Sequence, residues 1–320
     1  MAATIYDIAR LTGYNAGTVS RALNNDPRVR EKTREKIREV GNLLGYVPNL
    51  AAKSLITGKT RIIAVVTCSS CSAPMTALMM SLNEILIKHD YLLMSMIYNN
   101  KEQFKRCMER LRSGFCDGAI LQSPVSGLVD SAEIENLLKL KYPVVCFDQW
   151  IPEVNLPVIT NDAEKSIRCL IEELMKTGME AAYLVPHGAN TVSQWREDCA
   201  KRILEEKEIP YITNKEEISD FIKVHDVKNF MVYADSTKQF KQLETYFPKK
   251  EDLTITAGLF DPWNMLIPKY ISRLVLCIQD FDLACEAAVH QLFQMIDGKE
   301  VPAETTLIPP KEIITPITHD

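Results

Sequence analysis

Thr18, Ser20, Arg21 and Asn24 fall on the outer face of a short helical pattern near the N-terminus, with Ala16 and Gly17 leading it. Small and polar side chains on one helix face suit hydrogen bonding to base-pair edges in a DNA major groove, the first turn meeting the bases. Arg21 is the strongest group here, because a bidentate arginine–guanine contact carries about 1–3 kcal/mol of discrimination. With Ala16 and Gly17 so small, Arg21 supplies much of any direct readout. If the helix enters DNA in this way, Tyr6, Thr18 and Asn24 are expected near phosphates.

A second set of groups lies far downstream. The three tryptophans, Trp150, Trp195 and Trp263, follow strand-like runs, as do Asp148, Arg196, Asp235 and Asp261. Ligands of open α/β sheets bind beyond the carboxyl ends of the strands, where these residues fall. An indole face stacks on a sugar ring or another flat ligand, and carboxylates and arginine bind hydroxyls. The alternative is that one or more indoles packs in a core.

The elements that must position the first set are legible. Thr4 with Asp7 forms a capping-box pattern, and Ile5, Ile8, Ala9 and Leu11 follow at helical spacing. Gly13 can end that helix and Asn15 can cap the next, whose inward face is Val19, Ala22 and Leu23. Two short helices joined by three residues make a helix-turn-helix. On pattern alone, an αα-hairpin of a larger helical domain reads the same way. A third helix is expected from Glu31 to Leu44, with Thr33, Ile37, Val40 and Leu44 inward. Pro48–Leu55 reads as a helix of about two turns, too short to persist alone in water. Thr57-Gly58-Lys59-Thr60 is not a phosphate loop, since the required upstream glycine position holds Lys53.

From Ile62 onward strands and helices alternate. Strands are expected at 61–67, 92–98, 118–122, 144–147 and 156–159, with helices at 76–89, 101–114 and 132–140. A second series runs helix 163–177, strand 181–186, helix 194–207, strand 230–233, helix 237–246 and strand 253–257. A helix at 283–297 and a strand-like tail to Ile317 complete it. Two alternating series mean two doubly wound lobes of parallel sheet.

Charge separates the two parts. Residues 1–60 hold ten Lys/Arg against five Asp/Glu, a net +5 in a chain whose total is −5, so the remainder carries −10. A basic head on an acidic body concentrates phosphate attraction at the head. No run approaches the roughly 18 apolar residues of a membrane span. The N-terminus lacks an apolar export stretch, which points to a cytoplasmic location. The nine cysteines are scattered and, apart from Cys68-x-x-Cys71, unpaired by spacing. They read as reduced, mostly core-filling thiols, and neither a metal nor another cofactor is expected.

Thr4-Ile5-Tyr6-Asp7-Ile8-Ala9, Gly13-Tyr14-Asn15 with Thr18-Val19-Ser20-Arg21-Ala22-Leu23-Asn24, Thr33-Arg34-Glu35-Lys36-Ile37, and Leu44-Gly45-Tyr46-Val47-Pro48-Asn49 occur in order over roughly the first 58 residues. These linked pieces resemble the lac repressor (LacI/GalR) family. The resemblance implies an all-α helix-turn-helix head (1–47) and a hinge helix and linker (48–60). It further implies a two-lobed, periplasmic-binding-protein-like α/β core (61–320). Its first lobe would be about 61–159 plus 279–303, and its second about 160–278 plus 304–317.

The resemblance also implies that residues 48–55 are a hinge helix that orders on DNA beside its twin. Leu55 would then wedge into the minor groove, with Asn49, Ala52 and Lys53 beside it. Lys53 stands where relatives carry arginine. Arg30 replaces the small hydroxyl residue that usually caps the third helix, and could meet phosphate directly. In the core, Asp148 matches the acidic end of a family strand and Arg196 an arginine that binds effector oxygen. Asp235 and Asp261 match further cleft acids, and Gln279 falls near the last crossover. The region from Ser69 to Met75 replaces the usual first cleft loop, and Asp235 is preceded by Ala234 where an Asn is usual.

The expected function is therefore a sequence-specific transcriptional regulator, a repressor, that binds a pseudo-palindromic operator as a homodimer. The DNA-facing set is Tyr6, Asn15, Ala16, Gly17, Thr18, Ser20, Arg21, Asn24, Arg30, Asn49, Ala52, Lys53 and Leu55. A small-molecule effector, a sugar or sugar derivative, would occupy a cleft lined by Ser69, Asp148, Trp150, Trp195, Arg196, Asp235, Asp261, Trp263 and Gln279. A solute-binding protein would share the lobes but not the basic head. An enzyme is disfavoured, since no Gly-x-Ser-x-Gly, intact phosphate loop or dinucleotide fingerprint is present.

Overall fold

A computed structural model of the chain describes residues 3–68, 74–122, 127–186, 191–234, 237–240, 242–249, 251–261 and 267–315. It divides into two compact units, Met1–Thr60 and Arg61–Asp320.

The head consists of α1 (Ile5–Thr12), α2 (Ala16–Leu23), α3 (Glu31–Leu43) and α4 (Leu50–Thr57). The capping box forms as expected: Thr4 accepts from the Asp7 N–H while Asp7 reaches back to the Thr4 N–H. Gly13 closes α1 with φ 76°, and the Asn15 side chain accepts the Thr18 N–H at 2.8 Å to open α2. Ile8, Val19, Ala22, Val29 and Ile37 form the buried centre of the head. Leu11 does not join them; it is 59% exposed, and Thr12 takes the inward place. Ile8 and Thr12 are one turn apart on the helix, whereas Leu11 falls short of that stripe. The inward Thr12 hydroxyl is satisfied by the Ile8 carbonyl at 2.7 Å.

The second unit holds two six-stranded sheets. In chain order its elements are β1 (Ile62–Cys68), α5 (Pro74–Lys88), β2 (Leu92–Tyr98), α6 (Lys101–Arg112), β3 (Gly118–Gln122), α7 (Ser131–Lys139), β4 (Val144–Phe147) and β5 (Val158–Asn161). Next come α8 (Ala163–Met175), β6 (Ala181–Leu184), α9 (Thr191–Glu206), β7 (Tyr211–Ile212), α10 (Ile218–Val224), β8 (Asn229–Ala234) and α11 (Thr237–Phe240). The last are β9 (Thr254–Phe260), β10 (Arg273–Gln279), α12 (Phe281–Ile296), β11 (Thr305–Ile308) and β12 (Pro310–Ile314). The first sheet runs β11-β5-β4-β3-β1-β2 and the second β12-β10-β9-β8-β6-β7. Every pairing is parallel except the edge pair β10–β12. Helices cover both faces of each sheet, so strands such as β1 are apolar on both sides: Ala64 and Val66 face one core, Ile63 and Val65 the other.

Three details depart from expectation. The strand-like tail is two strands in two lobes: Thr305–Ile308, expected in the second lobe, pairs in parallel with β5 of the first, and only β12 joins the second sheet. The last crossover is therefore at Pro309, beyond Gln279. The helix expected at 237–246 is reduced to α11 and a single 3-10 turn, Glu244–Tyr246. The strands β7 and β10 and the helix α10 complete the second lobe without having been anticipated.

The chain passes between lobes three times, each through one residue: Asp162 between β5 and α8, Asp280 between β10 and α12, and Pro309 between β11 and β12. Both aspartates cap the helix they launch, Asp162 accepting the Lys165 N–H at 2.9 Å and Asp280 the Leu283 N–H at 3.0 Å. The Asp162 N–H in turn donates to the Ile308 carbonyl at 2.7 Å, tying the first crossover to the third. Among the described residues no helix is long and apolar enough to cross a membrane.

Candidate nucleic-acid interface and interlobe cleft

In the head, burial of Val19 and Ala22 turns Gly17, Arg21 and Asn24 to the outside of α2. A Cβ built on Gly17 would lie 3.5 Å from Arg21 Nη2, so the guanidinium lies back along the first turn over the glycine. Asn15 and Asn24 are partly committed to the helix itself, Asn15 as cap and Asn24 donating through Nδ2 to the Ser20 carbonyl at 2.9 Å. Tyr6 on α1 is 72% exposed.

Not every cation of the head is available to phosphate. Arg28 grips Asp26 through Nε and Nη2 at 2.9 and 2.6 Å, which holds the Asp26 carboxyl down to about 2. Arg34 pairs with Glu31 and Arg38 with the Asn25 side chain, bracing the turn before α3. Arg30 occupies the N-cap of α3 without a capping side-chain bond, and stays exposed. In α4, Asn49 accepts the Ala52 N–H at 3.2 Å and Gly58, at φ 69°, ends the helix. Lys53 is exposed, and Leu55 and Ile56 are 88% and 84% exposed. An apolar pair so open to water is an unfavourable surface for an isolated helix.

In the core, three of the expected cleft residues meet at the ends of β9, β10 and the start of α9. Arg196 lies buried with its guanidinium carbon 4.0 Å from the Phe260 ring centroid, and donates through Nη2 to Gln279 Oε1 at 2.9 Å. Gln279 passes the interaction on: its Nε2 and its backbone N–H both donate to the Asp261 carboxylate. Asp261 takes a left-handed backbone conformation, φ 47°, as Asp148 does at φ 72° at the end of β4. Asp148 and Gln279 face the same small cavity between the lobes. Trp150 packs on the first lobe's core and Trp195 on the second's, and the two indoles touch across the lobes. Ser69, Asp235 and Trp263 lie outside the described residues.

Sequence reasoning missed several groups at these strand ends. Phe260, stacked under Arg196, closes β9, three residues beyond the end of the strand expected at 253–257. Thr67 and Gln122, both buried, bond at 2.8 Å at the C-terminal ends of β1 and β3; a polar residue closing a buried apolar strand was the available signal. A cavity of about 410 Å³ opens where β6 and β7 end, walled in part by Tyr183, Asn214, Lys215 and Gln242. It depends on β7 and α11, whose form the sequence did not reveal.

The eight described cysteines are free thiols. Burial pushes those of Cys146 and Cys277 up to about 12, which keeps them protonated and inert. Among the described residues no group of three or more His, Cys, Asp or Glu could hold a metal ion.

Comparison with known proteins places this geometry. The sequence model described as "Bacterial regulatory proteins, lacI family" matches residues 4–49, which are α1 to α3 and the approach to α4. Catabolite control protein A of Priestia megaterium is 28% identical over 179 residues, covering 56% of this chain and 53% of that protein. The chain thus spans about half the length of that curated relative. The lac repressor dimer bound to operator and the anti-inducer ONPF shares the fold with a TM-score of 0.75 at 19% identity, covering 98% of each chain. A transcriptional regulator CelR–cellobiose complex gives a TM-score of 0.61 at 16% identity, again over 98% of each chain. The head of the chain is thus a helix-turn-helix domain of the lacI family of bacterial regulatory proteins, and its two parallel-sheet lobes share the fold of the lac repressor.

Proposed function

We propose that this chain is a cytoplasmic transcriptional repressor that binds a pseudo-palindromic operator as a homodimer, under the control of a small sugar or sugar derivative held between the lobes. The observation that carries the DNA half is α2, whose outer face presents Gly17, Arg21 and Asn24 from within the segment that matches the family. Two heads on a twofold axis fit two half-sites about one helical turn apart. The exposed Leu55 supports the minor-groove role of α4, and a wedge of this kind costs about a few kcal/mol in unstacking, offset by the contacts the bend permits.

The cleft half rests on a set of groups suited to a polyhydroxylated ligand: a buried arginine held by an amide, aspartates at two strand ends, and two indoles. That a solved relative of the same fold holds cellobiose agrees with it. A ligand that binds one closure state of the lobes better changes DNA affinity by its differential binding energy, typically about 1–3 kcal/mol. The chain acts by binding alone and catalyses no reaction in this reading.

The test is selection of bound sequences from a randomised duplex pool with the purified protein, repeated with Arg21→Ala. The expected result is an enriched inverted repeat, and loss of preference at one base pair per half-site in the variant. No enrichment, or an identical site preference in Arg21→Ala, would remove α2 from the role given it.

A further inference from the structure

The helix α2 ends in a turn that ties its last residues to α3. Asn24 closes the helix, and Asn25 after it takes the left-handed conformation, φ 59°. The Asn25 N–H donates to the Ala22 carbonyl at 3.1 Å and the Asp26 N–H to the Arg21 carbonyl at 3.0 Å. This pair of bonds is a Schellman closure, which needs a left-handed residue where Asn25 stands. Asparagine enters that region at smaller cost than most side chains. The carbonyl held by Asp26 is that of Arg21 itself, so the turn fixes the backbone from which this guanidinium projects.

Two arginines of α3 hold the turn. Arg34 donates through Nη1 to the Asn25 carbonyl at 3.3 Å, and Arg38 through Nη2 to Asn25 Oδ1. They lie one turn apart, on the same side of the buried Ile37. Glu31 lies 2.5 Å from Arg34 and 3.9 Å from Arg38, and the Arg34 side chain is only 19% exposed, so neither cation is set out for phosphate. Lys36, on the other side of Ile37, ties down the opposite end of the motif. It donates to the Thr12 carbonyl at 3.3 Å and lies 5.7 Å from the centroid of the Tyr14 ring, in the turn before α2.

We propose that Asn25, with the arginines Arg38 and Arg34 that hold it, is a positioning residue for sequence readout by Arg21. The clamped turn sets the direction in which the last turn of α2 presents its guanidinium. The proposal rests on the reading of α2 as the base-reading helix. Contacts to phosphate strengthen binding to every sequence alike, whereas a displaced Arg21 weakens only the site it reads. The ratio of site affinity to random-duplex affinity therefore separates positioning from charge.

The test uses the full chain, a duplex carrying the inverted repeat it enriches, and a random duplex of equal length. Asn25→Gly keeps the left-handed turn and every charge but removes the partner of Arg38. Arg38→Met removes the other side of the same bond. Each is expected to lower the affinity ratio about three- to tenfold, the effect of one charge-assisted hydrogen bond partly open to water, at a temperature well below Tm. Together they are expected to do no more than the larger single change. In an Arg21→Ala background neither should lower the ratio further, an epistasis that a general loosening of the head does not produce. An unchanged ratio in both variants, with both duplexes bound equally more weakly by Arg38→Met, would make Arg38 a phosphate contact and overturn the proposal. Additive losses, or an undiminished fall in the Arg21→Ala background, overturn it as well. If Arg38→Met does not fold, Asn25→Gly alone and in the Arg21→Ala background carries the test. No enriched repeat, or an Arg21→Ala protein that discriminates as the parent does, instead removes α2 from base reading and this proposal with it.

Discussion

The indole of Trp150, seated on the first lobe, meets the indole of Trp195, seated on the second, edge to face with centroids 5.8 Å apart and planes inclined by 76°. The pair therefore reports the separation of the lobes and contributes to it. Aromatic pairs in this arrangement are worth about 0.5–1.5 kcal/mol beyond the area they bury. A double-mutant cycle with Trp150→Leu and Trp195→Leu, read by urea unfolding, is expected to return a coupling energy in that range. Additive single effects would mean that the contact contributes no stability. The same indoles should make intrinsic fluorescence respond saturably when a ligand enters between them, which a panel of mono- and disaccharides and their phosphates can check.

Leu55 offers a separation of folding from binding. At 88% exposure its side chain holds nothing of the head together. Leu55→Ala is expected to leave Tm within about 1 °C, as surface substitutions usually do. If α4 inserts this side chain between base pairs, operator affinity should fall tenfold or more, and bending of the bound duplex should decrease in a gel-phasing assay. A variant that folds and bends DNA as the parent does would exclude the wedge.

Much of this was legible beforehand, and the failures have local causes. Thr4, Asp7, Gly13 and Asn15 act through neighbours within a few residues, so the head could be read almost residue by residue. Leu11 misled because an apolar residue adjoining a stripe is indistinguishable by type from one on it, while the inward Thr12 hides its hydroxyl on the Ile8 carbonyl. The strand β10 is hard to see in the sequence because a single residue, the N-cap Asp280, separates it from α12, with no loop between the two apolar runs. The division of the C-terminal tail had a signal in the sequence, the Pro309-Pro310 pair at the junction of β11 and β12, since paired prolines punctuate a strand pattern. In the cleft, Arg196, Asp261 and Gln279 could each be suspected. Their mutual bonding, and the meeting of Trp150 with Trp195, depend on how two sheets are brought together, which no spacing in the chain encodes.

Acid sensitivity should concentrate on the outer faces of α8 and α9. Glu164 accepts hydrogen bonds from Arg202 and Arg168, and Glu206 pairs with the same two arginines. Arg202 above all, then Arg168, holds the Glu164 carboxyl down to about 2 from its ordinary 4.5. A folded-state value below the unfolded one gives stability that is present above about pH 4.5 and is lost as pH falls toward 2. The groups are partly open to solvent, so screening keeps the effect small. Glu164→Gln is expected to flatten the fall in the urea midpoint between these pH values by lowering the neutral-pH midpoint slightly while leaving the acid midpoint near that of the parent. An unchanged acid limb would show that the network does not titrate as a unit.

Gln279 is the residue whose replacement tests the cleft most directly. Its amide accepts from Arg196 and donates to Asp261 at once, a combination that neither a carboxylate nor an aliphatic side chain can supply. Gln279→Leu leaves a buried guanidinium and a buried carboxylate each short of a partner, and hydrogen bonds to charged groups are worth about 1.5–3 kcal/mol. Gln279→Glu keeps an acceptor for Arg196 but sets a second carboxylate against Asp261, where like charges resist joint ionisation. Its stability should therefore rise as pH is lowered from 7 toward 5, the direction in which the new carboxyl gains a proton and can again donate to Asp261. The parent should show no such rise. Effector affinity measured by calorimetry should fall in both variants if Arg196 binds ligand, since Gln279 fixes the direction of its guanidinium. Unaltered affinity in Gln279→Leu, with the protein still folded, would place the ligand away from Arg196.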